Sequence, residues 1–325
     1  MSENEIDLFN YNKCPTKKRK IDSCFYQNIE SDSKLSTINL EELVFTIPPQ
    51  PEGVVIDLSQ SKIYIKLKLC KGAEGADIHT VTRGTDENGN RIVYPPNKRC
   101  TTLNNTGPSL VDTVGFKIRQ LYVKNQKYAS LISYLRRLIT PGTDTLDGLA
   151  GFFKLDLPGH LDKATNTSLA DRYIFGTTSQ EFVFDIEHPL FNQNRAFPAH
   201  HPTQIVLKLN RPEYFIWSEE IDLPSSYFGY KLEAAELHLK FLTLEPSFEK
   251  SLVTKLKNQQ LHFDLNQIDT YDITLNSSTK EFTKNIFTNE IIPNPCILLI
   301  LADDNLLGKC SKKMVTILND MIYSQ

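Results

Sequence analysis

Glu181–Arg211 reads EFVFDIEHPLFNQNRAFPAHHPTQIVLKLNR and Tyr230–Phe248 reads YKLEAAELHLKFLTLEPSF, and these two stretches decide the fold class. In the first, Phe182, Phe184 and Ile186 alternate with Val183, Asp185 and Glu187. After a turn-rich gap, Ile205, Leu207 and Leu209 alternate in the same way. Side chains of a strand point to opposite faces in turn, so each run buries one face and wets the other. Leu237-His238-Leu239-Lys240-Phe241 repeats the pattern in the second stretch.

The same period occurs elsewhere. Leu43–Ile47 predicts a short strand stopped by Pro48-Pro49. In Ser61–Leu69 the residues Ile63, Ile65, Leu67 and Leu69 point inward, while Lys62, Lys66 and Lys68 point outward with Tyr64. Val114–Val123 reads as one strand whose phase changes at Arg119-Gln120, as a bulge would produce. Tyr128, Leu131, Ile132, Leu135, Leu138 and Ile139 recur at helical spacing, and Thr140-Pro141-Gly142 stops that helix. A short helix is also predicted over Glu249–Lys257. Gly72–Asn90 and Gly142–Gln180 read as long loops. Helical patterns do not alternate with strands, which argues against a parallel α/β fold. The expected class is all-β: tandem antiparallel β-sandwiches with short helices in loops.

With 325 residues the chain is long enough for two domains at ~100–200 residues each. The expected division is a flexible polar leader over 1–37, a first sandwich over 38–215, a linker over 216–229 and a second sandwich over 230–325. Only about five strands are legible beyond Tyr230, so the second sandwich reads as incomplete. The net charge of −3 supplies no global field for nucleic acid or an anionic membrane. Within the leader, Lys17, Lys18, Arg19 and Lys20 form a basic block that suits a nuclear import signal, a nucleic-acid arm or a plain solubilising cluster. The first 20 residues are polar and charged, so no signal peptide is expected. No run of 18 apolar residues occurs, so no membrane span is expected.

Candidate chemistry is sparse. Cys14, Cys24, Cys70, Cys100, Cys296 and Cys310 contain no C-x-x-C and read as reduced thiols. His188, His200 and His201 lie close in sequence but lack a further ligand at metal-binding spacing. Asp303-Asp304, Asp144 and Asp147 read as turn carboxylates. There is no G-x-S-x-G, no P-loop and no G-x-G-x-x-G. No catalytic residue, metal or cofactor is therefore assigned, and the chain is not expected to be an enzyme.

The linear order of these pieces resembles the double-jelly-roll major capsid proteins of polinton- and adintovirus-like viruses and mobile elements, including uncharacterised animal proteins derived from them. The resemblance runs from about Leu43 to Ala302. It includes Leu190, Phe191, Gln193 and Arg195 at the family's Leu-Phe-x-Gln-x-Arg positions, and Tyr230–Phe248 at the first strand of its second roll. The resemblance implies a structural virion protein that self-assembles as a homotrimer and then into a shell, with other capsid proteins as further partners. It places the protein in a virion if viral, and otherwise inside the cell, including the nucleus for a host-retained copy. The alternative class is a jelly-roll binding module that recognises carbohydrate or protein through its long loops, with Tyr94, Tyr214 or Trp217 as anchors. The Lys62, Lys66 and Lys68 face reads as a solvated or intersubunit face, with nucleic-acid contact as the alternative.

Overall fold

Alternating apolar residues build two antiparallel sheets that face each other across one core. The computed structural model describes residues 20–71, 76–77, 82–85, 91–94, 100–139, 148–152, 172, 178–193, 195–218, 228–256, 263 and 268. Strands β1 (Ile21–Glu30), β2 (Glu42–Ile47) and β3 (Val54–Lys71) come first. The short strands β4 (Ala76–Asp77), β5 (Thr82–Thr85), β6 (Arg91–Tyr94) and β7 (Cys100–Thr102) follow, then helix α1 (Thr106–Ser109). Next are β8 (Val111–Ile118), β9 (Leu121–Gln126), helix α2 (Ala129–Ile139), β10 (Gln180–Asp185), β11 (Phe197–Pro198) and β12 (Thr203–Leu209). Helix α3 (Pro212–Phe215), β13 (Ile216–Ser218), β14 (Phe228–Leu244) and helix α4 (Pro246–Leu256) complete the described chain.

The first sheet runs β1-β14-β3-β10, with β4 and β11 also paired to β3, and the second runs β2-β12-β8-β9. Eight of the strands, β1, β2, β3, β8, β9, β10, β12 and β14, obey a simple rule. The first pairs with the last (β1 with β14), the second with the seventh (β2 with β12), the third with the sixth (β3 with β10) and the fourth with the fifth (β8 with β9), all antiparallel. Lateral pairing of β14 with β3 and of β12 with β8 folds this long hairpin into two sheets. That wrapped arrangement is an eight-stranded jelly roll. The fold is therefore an all-β sandwich, as expected.

The inward residues are the ones the alternation selects. Leu43, Phe45, Phe116, Ile205, Leu207, Leu237, Leu239 and Phe241 are completely buried, and Ile63, Ile65, Leu67 and Leu69 line the same core. β3 is one long strand with a large irregularity: Lys62 pairs with His238 and Asp57 with Lys240, so Leu58–Ser61 stand opposite Leu239 alone. The bend lets the first part of β3 meet β11 and the second part meet β10. Tyr230, also buried, ties the sheets to the corner before β2. Its hydroxyl donates to the Leu40 carbonyl at 2.6 Å, and its N–H donates to Asn39 Oδ1 at 2.9 Å. Burial, reinforced by Glu41, raises the phenol's pKa above its ordinary value, so it remains a donor. Tyr230→Phe leaves the Leu40 carbonyl without that partner and is expected to cost about 1–2 kcal/mol, read as a lowered denaturant midpoint.

Four expectations change. Residues 21–30, expected in a flexible leader, form β1, because their backbone completes the edge of β14 even though their side chains carry no strong amphipathic period. Tyr230–Leu244, expected to open a second sandwich, is the eighth strand of the first, lying between β1 and β3. The first roll thus extends from Ile21 to Leu244 rather than over 38–215, and the remainder of the expected second sandwich lies outside the described residues apart from α4, Phe263 and Ile268. Val114–Val123 is not one bulged strand but two strands. Ile118 pairs with Leu121 around the two-residue turn Arg119-Gln120, with Arg119 at φ 53°. Finally, the expected long loop Gly72–Asn90 contains β4 and β5, and β5 pairs with β6 just beyond it, ahead of β7. Helix α2 forms where predicted, but its buried face is Ala129, Ser130, Ile132 and Ser133, while Leu138 and Ile139 are exposed.

Candidate assembly surfaces

Three surfaces carry what distinguishes this roll: the outer face of the first sheet, the loop after β10, and the exposed sheet edges. On the outer face the lysines of β3 do not stand alone. Lys62 is ion-paired to Asp185, and Lys66 lies 3.6 Å from Glu181 and 3.9 Å from Glu233. His238 stacks on Tyr64 with ring centroids 6.0 Å apart, and its Nε2 is 3.1 Å from Glu236 Oε2. Asp57, almost fully buried, accepts from Ser59 Oγ at 2.7 Å and has Lys240 Nζ at 3.7 Å. Neighbouring strands set carboxylates beside the lysines, which the linear order of β3 alone does not reveal. The face is a mixed-charge network rather than a cationic stripe for phosphates.

The loop after β10 holds the family-pattern residues. Leu190 and Phe191 are buried in the main core, with Phe191 edge-on to Phe116 at 5.9 Å. The Gln193 side chain is buried with both polar atoms lacking a hydrogen-bond partner within the described protein, whereas Arg195 is half-buried. His188 is buried against Phe116, and Leu190 N–H donates to its Nδ1 at 3.2 Å. This makes His188 a structural ring that shapes the turn. Its neighbour Glu187 is 8% exposed and reaches Arg136 of α2 at 3.2 Å, while Arg136 also donates to Asn192 at 2.7 Å. Arg136 thus clamps α2 to the loop.

Burial raises the Glu187 pKa above the usual carboxylate range, and Arg136 only partly offsets it. The native state therefore holds this proton to higher pH than the unfolded chain does. Charging Glu187 costs stability at neutral pH, and the cost disappears as pH falls through the raised native value to the unfolded one. Glu187→Gln is expected to leave the melting temperature at pH 7 equal to or above that of the parent, with the advantage vanishing on acidification. A thermal melt series across pH 4–8 checks the sign.

The His200 and His201 rings lie 3.9 Å apart, tilted by 56°, and Arg119 Nη2 is 2.9 Å from His201 Nδ1. Desolvation, then the nearby His200 and Arg119, lower the His201 pKa below its ordinary value. Among the described residues no group of three or more His, Cys, Asp or Glu is placed to bind a metal. Neither Cys24 nor Cys70 is in a disulfide. Of the expected loop anchors, Tyr214 is not an exposed aromatic. It packs against the core and its hydroxyl is 3.3 Å from Ser130 Oγ. The side chains of Tyr94 and Trp217, and Lys17, Lys18, Arg19, Asp144, Asp147 and Asp303-Asp304, lie outside the described residues. Lys20 is described: its carbonyl accepts from Glu245 N–H at 3.1 Å and its ammonium lies 5.9 Å from the Phe248 ring centroid.

Sequence reasoning missed two exposed apolar sites because it did not locate the sheet edges. At the β8–β9 hairpin tip Leu121 is 75% and Tyr122 71% exposed, with Lys117 Nζ 5.1 Å from the Tyr122 ring centroid. On β1, Phe25 is 40% and Tyr26 67% exposed. No described helix is long and apolar enough to cross a membrane.

No family model matches the chain, and no curated protein sequence matches it. Among solved structures it is similar to a chain of the Sputnik virophage (14% identity, 75% of this chain and 52% of that one, TM-score 0.49). It is also similar to the Faustovirus major capsid protein (9% identity, 74% and 58%, TM-score 0.42). The mavirus major capsid protein matches too (10% identity, 72% and 50%, TM-score 0.31). The chain spans about half the length of these solved proteins.

Proposed function

We propose that this protein is a structural shell subunit of the capsid type, of the double-jelly-roll kind found in polinton- and adintovirus-like elements, or a host-retained descendant of one. The observation that carries the reading is the strand order of the described roll, first with last through fourth with fifth, which viral capsid and lectin domains share. The sequence resemblance favours the capsid side of that pair, and no described constellation of side chains favours chemistry. In this reading the rigid two-sheet core is the building block, and subunits associate through apolar patches rimmed by polar groups, three around an axis. Leu121 and Tyr122 beside Lys117 and Arg119 form such a patch. The mature location is a virion, with Lys17–Lys20 serving import where shells assemble in the nucleus.

Light scattering on the purified full chain over a concentration series tests the reading. A species at three times 37.1 kDa is expected. A monodisperse monomer at every concentration overturns it and leaves the binding-module alternative.

A further inference from the structure

The two strands at one side of the sandwich treat their open edges differently. β2 is the edge of its sheet, and the chain just before it covers that edge. Asp32 N–H donates to the Val44 carbonyl at 2.8 Å, Ser31 Oγ donates to the same carbonyl at 3.1 Å, and Val44 N–H donates to Ser33 Oγ at 3.0 Å. Among the described residues, β1 is the edge of the other sheet and pairs only with β14. Its residues 22–26 are exposed in an unbroken run. Its sequence, IDSCFYQNIE, contains none of the lysine, proline or glycine residues that ordinarily discourage strand pairing at an edge. Ten residues of open ladder with two exposed aromatics are a template for another strand.

We propose that this edge is a twofold contact between two copies of the chain, in which β1 pairs antiparallel with β1 and one sheet runs through both molecules. A twofold axis perpendicular to the sheet keeps each inner face in line with its partner's inner face. Opposed residues must then differ by an even number of positions. The register centred on Phe25 meets that condition and pairs the regular stretch Ser23–Gln27 about the axis, up to the irregularity between Ile21 and Ser23. It sets Phe25 against Phe25, Ser23 against Gln27 and Cys24 against Tyr26. Phe25 already stacks on Phe241 at 5.1 Å, so the contact would continue a row of aromatics across the axis. The next register, centred on Tyr26, opposes Asp22 to Glu30 and is disfavoured by like charge. The register centred on Phe25 thus sets the exposed aromatics beside the axis and opposes no like charges. The contact goes beyond the threefold association proposed above and is separate from it.

The test places one thiol on the axis in the full chain. In a Cys24→Ser background, Phe25→Cys brings two thiols opposite each other, whereas Gln27→Cys separates them by four residues along the strand. That separation is about 13 Å and out of disulfide reach. On mild oxidation the Phe25→Cys chain is expected to run mostly as a reducible dimer, and the Gln27→Cys chain no more so than the Cys24→Ser parent, which controls for the other native thiols. Equal cross-linking at positions 25 and 27 overturns the proposal. The unaltered protein supplies a second measurement. Amide exchange in residues 21–30 should slow at least about tenfold across a hundredfold rise in concentration. Concentration-independent exchange overturns the contact even if the variants misfold. A threefold mass without cross-linking at position 25 overturns the twofold alone. A reversible dimer that goes no further supports the twofold and counts against the threefold shell.

Discussion

Phe241→Ala is expected to destabilise the protein by about 3–5 kcal/mol, a large share of the ~5–15 kcal/mol that holds a domain folded. Phe241 is completely buried on β14, which lies between β1 and β3 and is flanked on both sides by ladders. Its ring joins the main core and stacks on Phe25. Truncation removes the transfer free energy of the ring and leaves a cavity that two hydrogen-bonded neighbours prevent from collapsing. Urea titration should show a lower midpoint with an unchanged slope. Phe25→Ala on the exposed edge serves as the contrast. Its ring is 40% solvated, so the loss should be about 1 kcal/mol. Equal effects at the two positions would contradict the placement of β14 inside the first sheet and restore it to a separate second sandwich.

The second large effect is expected at Gly151. This residue sits at φ 75°, and its carbonyl accepts from Asn105 N–H at 2.9 Å and from Thr106 N–H at 3.3 Å. A Cβ there would lie 2.9 Å from the Phe182 ring and 2.9 Å from Thr106 Cβ. Gly151→Ala therefore combines a left-handed backbone with overpacking against a core phenylalanine, together about 2–4 kcal/mol. Gly148→Ala, three residues earlier, meets open space and should change stability by less than about 0.5 kcal/mol. Denaturant midpoints of the two variants, measured side by side, separate local strain from general loop sensitivity. The contact matters because Gly151 and α1 seat the segment over β10 that closes one side of the core.

Much of the roll was legible in the alternation. Phe182 and Phe184 face inward as the period requires, and so do Ile205 and Leu207, because a buried face must be apolar at every second position and little else satisfies it. The same logic placed α2. It did not place α2's burial, because which side of an amphipathic helix is covered depends on neighbours such as α1 and β8 that are remote in sequence. At Arg119-Gln120 the phase change was visible, but its cause was not. A bulge and a two-residue hairpin both reset the alternation, and only pairing between Ile118 and Leu121 distinguishes them.

The amino-acid sequence alone settled the class of the fold, the inward faces of β3, β10, β12 and β14, and the lack of any familiar catalytic signature in its motifs. These depend on local period and residue type. Tertiary structure alone decided which strand lies beside which. It made Ile21–Glu30 the first strand of the roll, although its side chains are mostly solvated, because a backbone ladder needs hydrogen-bonding groups rather than hydrophobic ones. It moved Tyr230–Leu244 into the first sandwich, because antiparallel partners of β3 can come from any distance along the chain. It also set Lys62 and Lys66 of the outward lysines beside Glu181, Asp185 and Glu233, since charge balance across a sheet is set by register and not by order along one strand.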